Sequence, residues 1–482
     1  MHLIDKIIIG TYITLIFIIG ILMRKRVSNF SEFMLAGQGL GLSLGVTSML
    51  GTELGLITVM NFSELGVLQF FSSFHIGLFG FIVTLTVGVS GFVVSELREM
   101  NVKSIPEFYG KRFDSRVRLI GAILLVLGGV LNMGIFLKIG AQFIQSIFNF
   151  PSDTDTLKII MIILLIIVLT YTIMGGMLSV ILTDYFQFVI LSFGLIYVTI
   201  YSIYFLGWNN IFESIEVFAN NQEKSPYNPF ITKGGSYVVW QLILAFVSAV
   251  VWPTAITRAL SMKDSKTVKK QYMWSSISFL VRFMIPCFIG ICALVYFDGI
   301  IINSEETLMP EYLRDILPIG FLGLVTAGMI SAFMSTHDSY LLCWSTIITN
   351  DIIDPLTNYN LTSRSKINIS RIIILILGIY ILLWGLFYDG GDAIWDYLGV
   401  TGAIYFSGAI TVLIAGIYWE KASEIGAILA LLGGLSALLG LEPIRILLFP
   451  NLTGSQIGLI SVLVTIIMMI VGSVLFPSKR KI

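Results

Sequence analysis

Charge is scarce in this chain: only 12% of its 482 residues are Asp, Glu, Lys or Arg, about half the share of an ordinary soluble domain. A water-soluble fold with so little charge would leave apolar surface uncovered, which excludes that class. Histidine and cysteine are scarcer still, at three each. Cys287, Cys292 and Cys343 stand inside apolar runs, without ligand spacing or a disulfide framework, and are read as small buried hydrophobes. No metal-ligand histidine cluster, paired-acid site or nucleophile triad is legible, so neither an enzyme nor any metal other than a coupling cation is expected. The formal net charge is zero, so no basic face is offered to nucleic acid. No Walker-type GxxxxGK[ST] occurs, which turns the search for an energy source from nucleotides to ion gradients. The N-terminus has neither a basic n-region nor a small-residue cleavage site. Its basic cluster, Arg24-Lys25-Arg26, follows the first apolar run, as in a retained span whose N-terminus lies outside.

What the chain has instead is apolar length, with 56% hydrophobic residues and a mean hydropathy of +0.92. A spanning helix needs about 20 apolar residues. Thirteen segments qualify, near 6–23, 40–62, 74–97, 117–148, 157–177, 180–206, 236–257, 272–297, 318–349, 370–388, 393–418, 422–440 and 455–476. With the N-terminus outside and the C-terminus inside, strict alternation puts most of the 29 basic residues in inside connections. These hold Arg24–Arg26, the Arg98–Arg118 cluster, Arg258 with Lys263–Lys270, Arg364–Arg371 and Lys479–Lys481. Outside loops are acidic, as in Glu305-Glu306 and Asp315. The expected architecture is all-α and integral to the membrane, with about thirteen helices. It divides into an N-terminal helix and inside loop at 1–39, a first five-helix repeat at 40–206, an extracytoplasmic loop at 207–235, an inverted second repeat at 236–418, and two C-terminal helices at 419–482.

The first helix of each repeat is marked for interruption. Ser48-Met49-Leu50-Gly51-Thr52-Glu53-Leu54-Gly55 puts two glycines and a carboxylate mid-span, and Trp252-Pro253-Thr254 puts a proline mid-span in the second block. Interrupted helices at matching positions mark the binding region of secondary transporters. Their freed carbonyls suit a hard cation. Ala332, Ser335, Thr336 and Ser339 share one helical face in the ninth segment and add hydroxyls.

Several stretches resemble the sodium/solute symporter family, whose members carry proline, sugars, pantothenate and sialic acid. Tyr171-Thr172-Ile173-Met174-Gly175-Gly176-Met177-Leu178-Ser179-Val180, followed by Thr183-Asp184-Tyr185-Phe186-Gln187, resembles its most specific signature. Ser104-Ile105-Pro106-Glu107-Phe108-Tyr109-Gly110-Lys111-Arg112-Phe113 resembles its inside loop. Met334-Ser335-Thr336, Asp338-Ser339 and Thr349-Asn350-Asp351-Ile352 resemble its ninth span, and Arg258 with Lys263–Lys266 the loop after segment 7. The resemblance implies the leucine-transporter fold and Na⁺ as coupling ion. It implies a sodium site of carbonyls at Gly51, Leu54 and Ala332 with the hydroxyls of Ser335 and Thr336. A second cation site or path is implied at Asp184, Asp338 and Ser339, where Asp338 departs from the smaller hydroxyl residue of relatives.

The candidate substrate cavity comprises Thr52, Glu53, Gly55, His75, Asn132, Lys138, Trp252 and Arg282. Glu53 is either a cation-linked carboxylate, a partner for a substrate ammonium, or one half of a buried pair. Lys138, deep in the fourth segment, is its expected base or the contact for a substrate carboxylate, which favours a carboxylate-bearing solute. Asp184, near a helix start, could alternatively cap it. The function expected is Na⁺-coupled symport of a small polar organic solute by a monomer in a bacterial plasma membrane. Proton coupling through Glu53, His337 or Asp338 is the alternative. A transporter-like sensor is the other class, although the longest loop, 207–235, is too short for a signalling domain.

Overall fold

The computed structural model describes residues 1–23, 29–174, 177–387 and 393–478. Arg24-Lys25-Arg26, the glycine pair Gly175-Gly176 and Lys479–Lys481, all used above, lie outside the described residues. The chain is 83% helical, without strands among the described residues, save for one parallel bridge between Leu40 and Met262.

The helices that matter below are α1 (Leu3–Met23), α2 (Leu42–Glu53), α3 (Leu56–Gln69), α4 (Phe74–Ser90), α5 (Ser115–Met133), α6 (Phe136–Ile147), α7 (Thr154–Met174), α8 (Met177–Leu206), α9 (Gly235–Val251), α10 (Pro253–Leu260), α11 (Ser265–Tyr296), α12 (Phe321–Ile347), α13 (Ser363–Phe387), α14 (Ile394–Tyr418), α15 (Glu424–Gly440) and α16 (Gly454–Leu475). Among the described residues eight helical runs are long and apolar enough to cross a membrane, or nine if α15 and Glu442–Leu448, bent by 83°, count as one. Each of the thirteen apolar segments carries helix. The interrupted ones are divided into halves, and the halves of the segment near 40–62 (α2 and α3) are each shorter than the 18 residues a candidate span requires.

Both expected breaks are present. Leu54 leaves the helix at φ −92°, ψ 66°, and Gly55 is extended before α3 begins. In the second block Trp252 adopts φ −59°, ψ 120° ahead of Pro253, as the steric demand of a following proline requires. One interruption was not foreseen: the helix of the segment near 117–148 is broken at Gly134-Ile135, between α5 and α6. A Cβ on Gly134 would stand 2.3 Å from Trp384 Cδ1, so the indole of α13 packs directly on the break.

The outer faces of the helices are apolar. Ile162, Ile163 and Ile166 on α7, Phe193, Ile196 and Ile200 on α8, and Ile372, Ile376 and Ile379 on α13 are all exposed. Water would not tolerate such a girdle, whereas lipid requires it. Polar side chains are instead collected at the centre, around α2, α8, α10 and α12.

Contacts that hold α12 in place come from α1, more than 300 residues earlier in the chain. The α1 carboxylate of Asp5, only 1% exposed, accepts hydrogen bonds from the backbone N–H of Gly320 at 2.7 Å and Gly323 at 2.9 Å. It thus caps the start of α12 from another helix, where the local N-cap, Gly320, has no side chain to do so. Tyr12 of α1 shares a hydrogen bond with Ser331 of α12 at 2.9 Å.

Candidate functional site

Two adjoining clusters form where the α2–α3 break meets α8, α10 and α12. In the first, Ser335 Oγ reaches the Gly51 carbonyl at 3.5 Å, and Thr336 Oγ1 donates to the Ala332 carbonyl at 3.0 Å. Gly55 permits the approach: a Cβ there would lie 2.0 Å from Thr336 Oγ1. The turn at Leu54-Gly55 therefore rests directly on the hydroxyl face of α12. The Gly51 and Ala332 carbonyls and the Ser335 and Thr336 hydroxyls are thus buried beside the break at Leu54-Gly55, oxygens of the kind a hard cation takes.

The second cluster is centred on Asp184, which is fully buried. It accepts from Ser48 Oγ at 3.0 Å, from Thr52 Oγ1 at 3.2 Å and from Ser335 Oγ. It does not cap its own helix; its partners lie on α2 and α12. A Cβ on Gly51 would meet the Asp184 carbonyl at 2.7 Å, so α2 and α8 touch backbone to backbone here. Asp338 and Ser339 are fully buried beside it, joined by a 3.4 Å hydrogen bond.

Arg258 also enters this cluster, which the sequence reading did not foresee. That reading assigned it to an inside loop. It is instead 1% exposed, within the short helix α10 that Pro253 starts. Its Nη2 donates to Thr52 Oγ1 and Ser339 Oγ, both at 2.7 Å, and lies 3.4 Å from Asp184 Oδ2. The legible signal was spacing: Arg258 falls six residues after the Trp252 break, too close for α10 to have left the protein interior.

A cavity of about 960 Å³, part of it open to solvent, lies on the other side of the break. Thr52, Glu53, Asn132, Trp252 and Arg282 line it, as expected. Glu53 Oε2 pairs with Arg282 Nη1 at 2.9 Å, and Glu53 Oε1 accepts from Thr254 Oγ1 at 3.2 Å, so the two helix breaks are linked through this carboxylate. The guanidinium lies 3.9 Å from the Phe279 ring centroid and 4.4 Å from that of Phe283. Asn132 bonds to the Leu398 carbonyl at 2.9 Å and to Thr401 at 3.1 Å. Trp252 stands edge-on to Phe406, with centroids 5.0 Å apart.

Three expectations are corrected. Lys138 is not the base for Glu53, since Arg282 takes that place. Lys138 is not among the residues that line the cavity; it lies in the field of Glu306, in the loop before the helix Leu308–Ile316. That carboxyl is pushed up by burial and drawn back by a hydrogen bond from Gln142 and the charge of Lys138. His75 is also off the cavity, with Nδ1 2.6 Å from the Ser72 carbonyl and its ring against Phe79 and Tyr237. Gly55 faces Thr336 and does not line the cavity. The cavity also contains residues that were not foreseen. Asn61 Oδ1, Gln241 Nε2 and Arg282 Nε are buried without hydrogen-bond partners, and all three residues line it. Trp395 Nε1 donates to the Gln241 side-chain oxygen at 2.7 Å. Polar residues in the middle of apolar segments were the available signal.

Residues 33–434 match the profile of the sodium:solute symporter family. The chain belongs to that family. Sodium:solute symporters are multi-pass membrane transporters, and curated relatives have the same extent. The osmoregulated proline transporter OpuE of Bacillus subtilis is 22% identical over 448 residues, covering 89% of this chain and 87% of the relative. The sodium/pantothenate symporter of Haemophilus influenzae is 24% identical over 359 residues, 73% of this chain and 71% of the relative. Among solved structures, a Na⁺-coupled sialic acid symporter in a substrate-bound outward-open state superposes with a TM-score of 0.83 at 19% identity, covering 100% of this chain and 99% of the other. MhsT in complex with L-phenylalanine gives 0.58 at 13% identity, over 89% and 97% of the two chains. The leucine-transporter fold implied by the family resemblance is therefore the fold of this symporter.

Proposed function

We propose that this chain couples Na⁺ entry to the uptake of a small polar solute of zero net charge, with zwitterions favoured. The Glu53–Arg282 pair carries this reading. It offers one charge of each sign to the cavity, flanked by unpartnered groups on Asn61 and Gln241. A zwitterion can set its ammonium on Glu53 and its carboxylate on Arg282 and leave the site neutral. A net anion would leave one buried charge uncompensated, which is expensive in an apolar surround. The earlier preference for a carboxylate-bearing solute is kept, with its base moved from Lys138 to Arg282.

Sodium is assigned to the oxygens of Gly51, Leu54, Ala332, Ser335 and Thr336. They join the broken first helix of one repeat to α12 of the other, so the ion holds the two repeats in one relation and its departure releases them. Glu53 precedes Leu54 in the chain, which ties solute binding to the ion site. Each ligand then raises the other's affinity by the same factor. The same reading has two inverted repeats at 40–206 and 236–418, thirteen crossings with the N-terminus outside and the C-terminus cytoplasmic, and a monomer in a bacterial plasma membrane.

The test is a thermal-shift screen of purified protein against zwitterionic, anionic, cationic and uncharged polyhydroxyl solutes, with Na⁺ or with choline at fixed pH. Occupied protein melts higher. Stabilisation by a zwitterion in Na⁺ only is the expected result. A shift produced by an anion alone would reject the charge reading, and equal shifts in choline would reject sodium coupling.

A further inference from the structure

Three oxygens of the Asp184 cluster are turned toward Arg258. Asp184 Oδ2, Thr52 Oγ1 and Ser339 Oγ lie 3.4, 2.7 and 2.7 Å from a single guanidinium nitrogen, Nη2. They come from α8, α2 and α12, three separate helices, as the ligands of an ion would. Arg258 is 1% exposed, and its Nε and Nη1 are buried without hydrogen-bond partners. A purely structural arginine is expected to spread its five donors over several acceptors. This one concentrates three acceptors on one nitrogen and so acts as a point charge. Guanidinium does not deprotonate inside proteins, so the position is permanently positive. A free cation entering there would face that charge at a few ångströms in a low-dielectric interior.

We propose that Arg258 is a tethered cation that fills the second cation site, so that this symporter binds one Na⁺ per cycle, at the Gly51–Thr336 site. The inference rests on the sodium reading above and adds its stoichiometry. It also gives Asp184 a different role from that implied by resemblance: the carboxylate is the counter-ion of Arg258, and it reaches the sodium site through the Ser335 hydroxyl. Arg258 joins α10 of one repeat to α2 and α8 of the other, so this cation stays with the protein through the cycle and is not delivered to the cytoplasm.

Binding of ²²Na⁺ to purified protein tests it, read as ions per chain and as the slope of the saturation curve. Wild type is expected to bind one ion with a Hill slope of one. Arg258→Gln vacates the position and is expected to bind two, with a slope above one. The double variant Arg258→Gln/Asp184→Asn removes both buried charges together and so avoids the folding penalty of an orphaned carboxylate. It is expected to return to one ion while remaining monodisperse. Two ions on wild type, one on well-folded Arg258→Gln, or none on the folded double variant would each overturn the proposal. No ion on wild type would instead overturn sodium coupling itself, which separates the two failures.

Discussion

The Glu53–Arg282 pair is the residue on which substrate recognition turns, and its burial makes it fragile. The two side chains are 13% and 7% exposed. Removing one partner of a buried pair strands the other charge, at a cost of about 3–5 kcal/mol, whereas removing both is far milder. Glu53→Gln and Arg282→Gln alone are therefore expected each to lower the melting temperature and abolish solute-induced stabilisation. The double variant should recover the melting temperature without the solute response. A double-mutant cycle on unfolding temperature checks the coupling. Additive losses would mean that the 2.9 Å contact contributes nothing. The sodium site is tested separately: Ser335→Ala removes one ligand oxygen and should weaken Na⁺ affinity by about tenfold or more, equivalent to about 1.4 kcal/mol, with little effect on solute-free stability in choline. Glu53 itself was legible in the sequence because a carboxylate beside glycines in an apolar segment is costly without a purpose. Its partner was not. Lys138 and Arg282 are both bases deep in apolar segments, and which one reaches Glu53 depends on helix rotation, which hydropathy does not report. Arg258 was misplaced for a related reason, since counting charges by loop treats every arginine near a segment end as solvated.

At the level of the element, the breaks were legible and their supports were not. Gly51, Gly55 and Pro253 announce themselves through backbone chemistry. What holds α12 against the first break is a trans cap from Asp5, separated from the N–H donors of Gly320 and Gly323 by more than 300 residues, and no local pattern encodes that. Gly323 makes the contact possible, because a Cβ there would meet Asp5 Cα at 2.6 Å. Asp5→Ala leaves the N–H groups of Gly320 and Gly323 without their acceptor, and a lost cap typically costs about 0.5–2 kcal/mol. If α1 positions α12, Asp5→Ala should also weaken Na⁺ binding several-fold, whereas an exposed control such as Lys158→Ala should not. Loss of stability with unchanged Na⁺ affinity would reduce Asp5 to an anchor. Gly55→Ala is predicted to be more severe, because the added methyl falls on Thr336 Oγ1. It should abolish Na⁺ binding while Gly39→Ala, in open space, does nothing.

Across the whole molecule, two of the family-like stretches that seemed separate in the sequence form one latch, at the end that the proposed topology places inside. Ser104 Oγ donates to Asp351 Oδ2 at 2.7 Å, and Arg118 grips Asp351 Oδ1 with Nε at 2.9 Å and Nη2 at 2.7 Å. Arg118 Nη2 also reaches the Asn350 carbonyl at 3.0 Å. This binds the short helix Ile105–Arg112 and the start of α5 to the six-residue π turn that ends α12. Nearby, Arg112 Nε donates to the Gly416 carbonyl at 2.7 Å, at the end of α14. In the proposed topology, the inner ends of both proposed repeats are thus clasped by arginines that the charge count registered only as topology signals. Alternating access requires such a clasp to open when the ion and solute leave inward. Cutting it should therefore shift the resting population and not merely soften the fold. Cys343 reports this, being buried on α12 about two turns before Asp351. Asp351→Asn is expected to speed Cys343 labelling by a membrane-permeant thiol reagent several-fold in choline, and Na⁺ should slow it again by holding the repeats together at the central site. The distant Cys287 and Cys292, also buried, serve as internal controls. If all three cysteines speed up together, Asp351 contributes only global stability. If Cys343 alone responds and Na⁺ reverses it, the inner latch and the sodium site act on one equilibrium from opposite ends of α12.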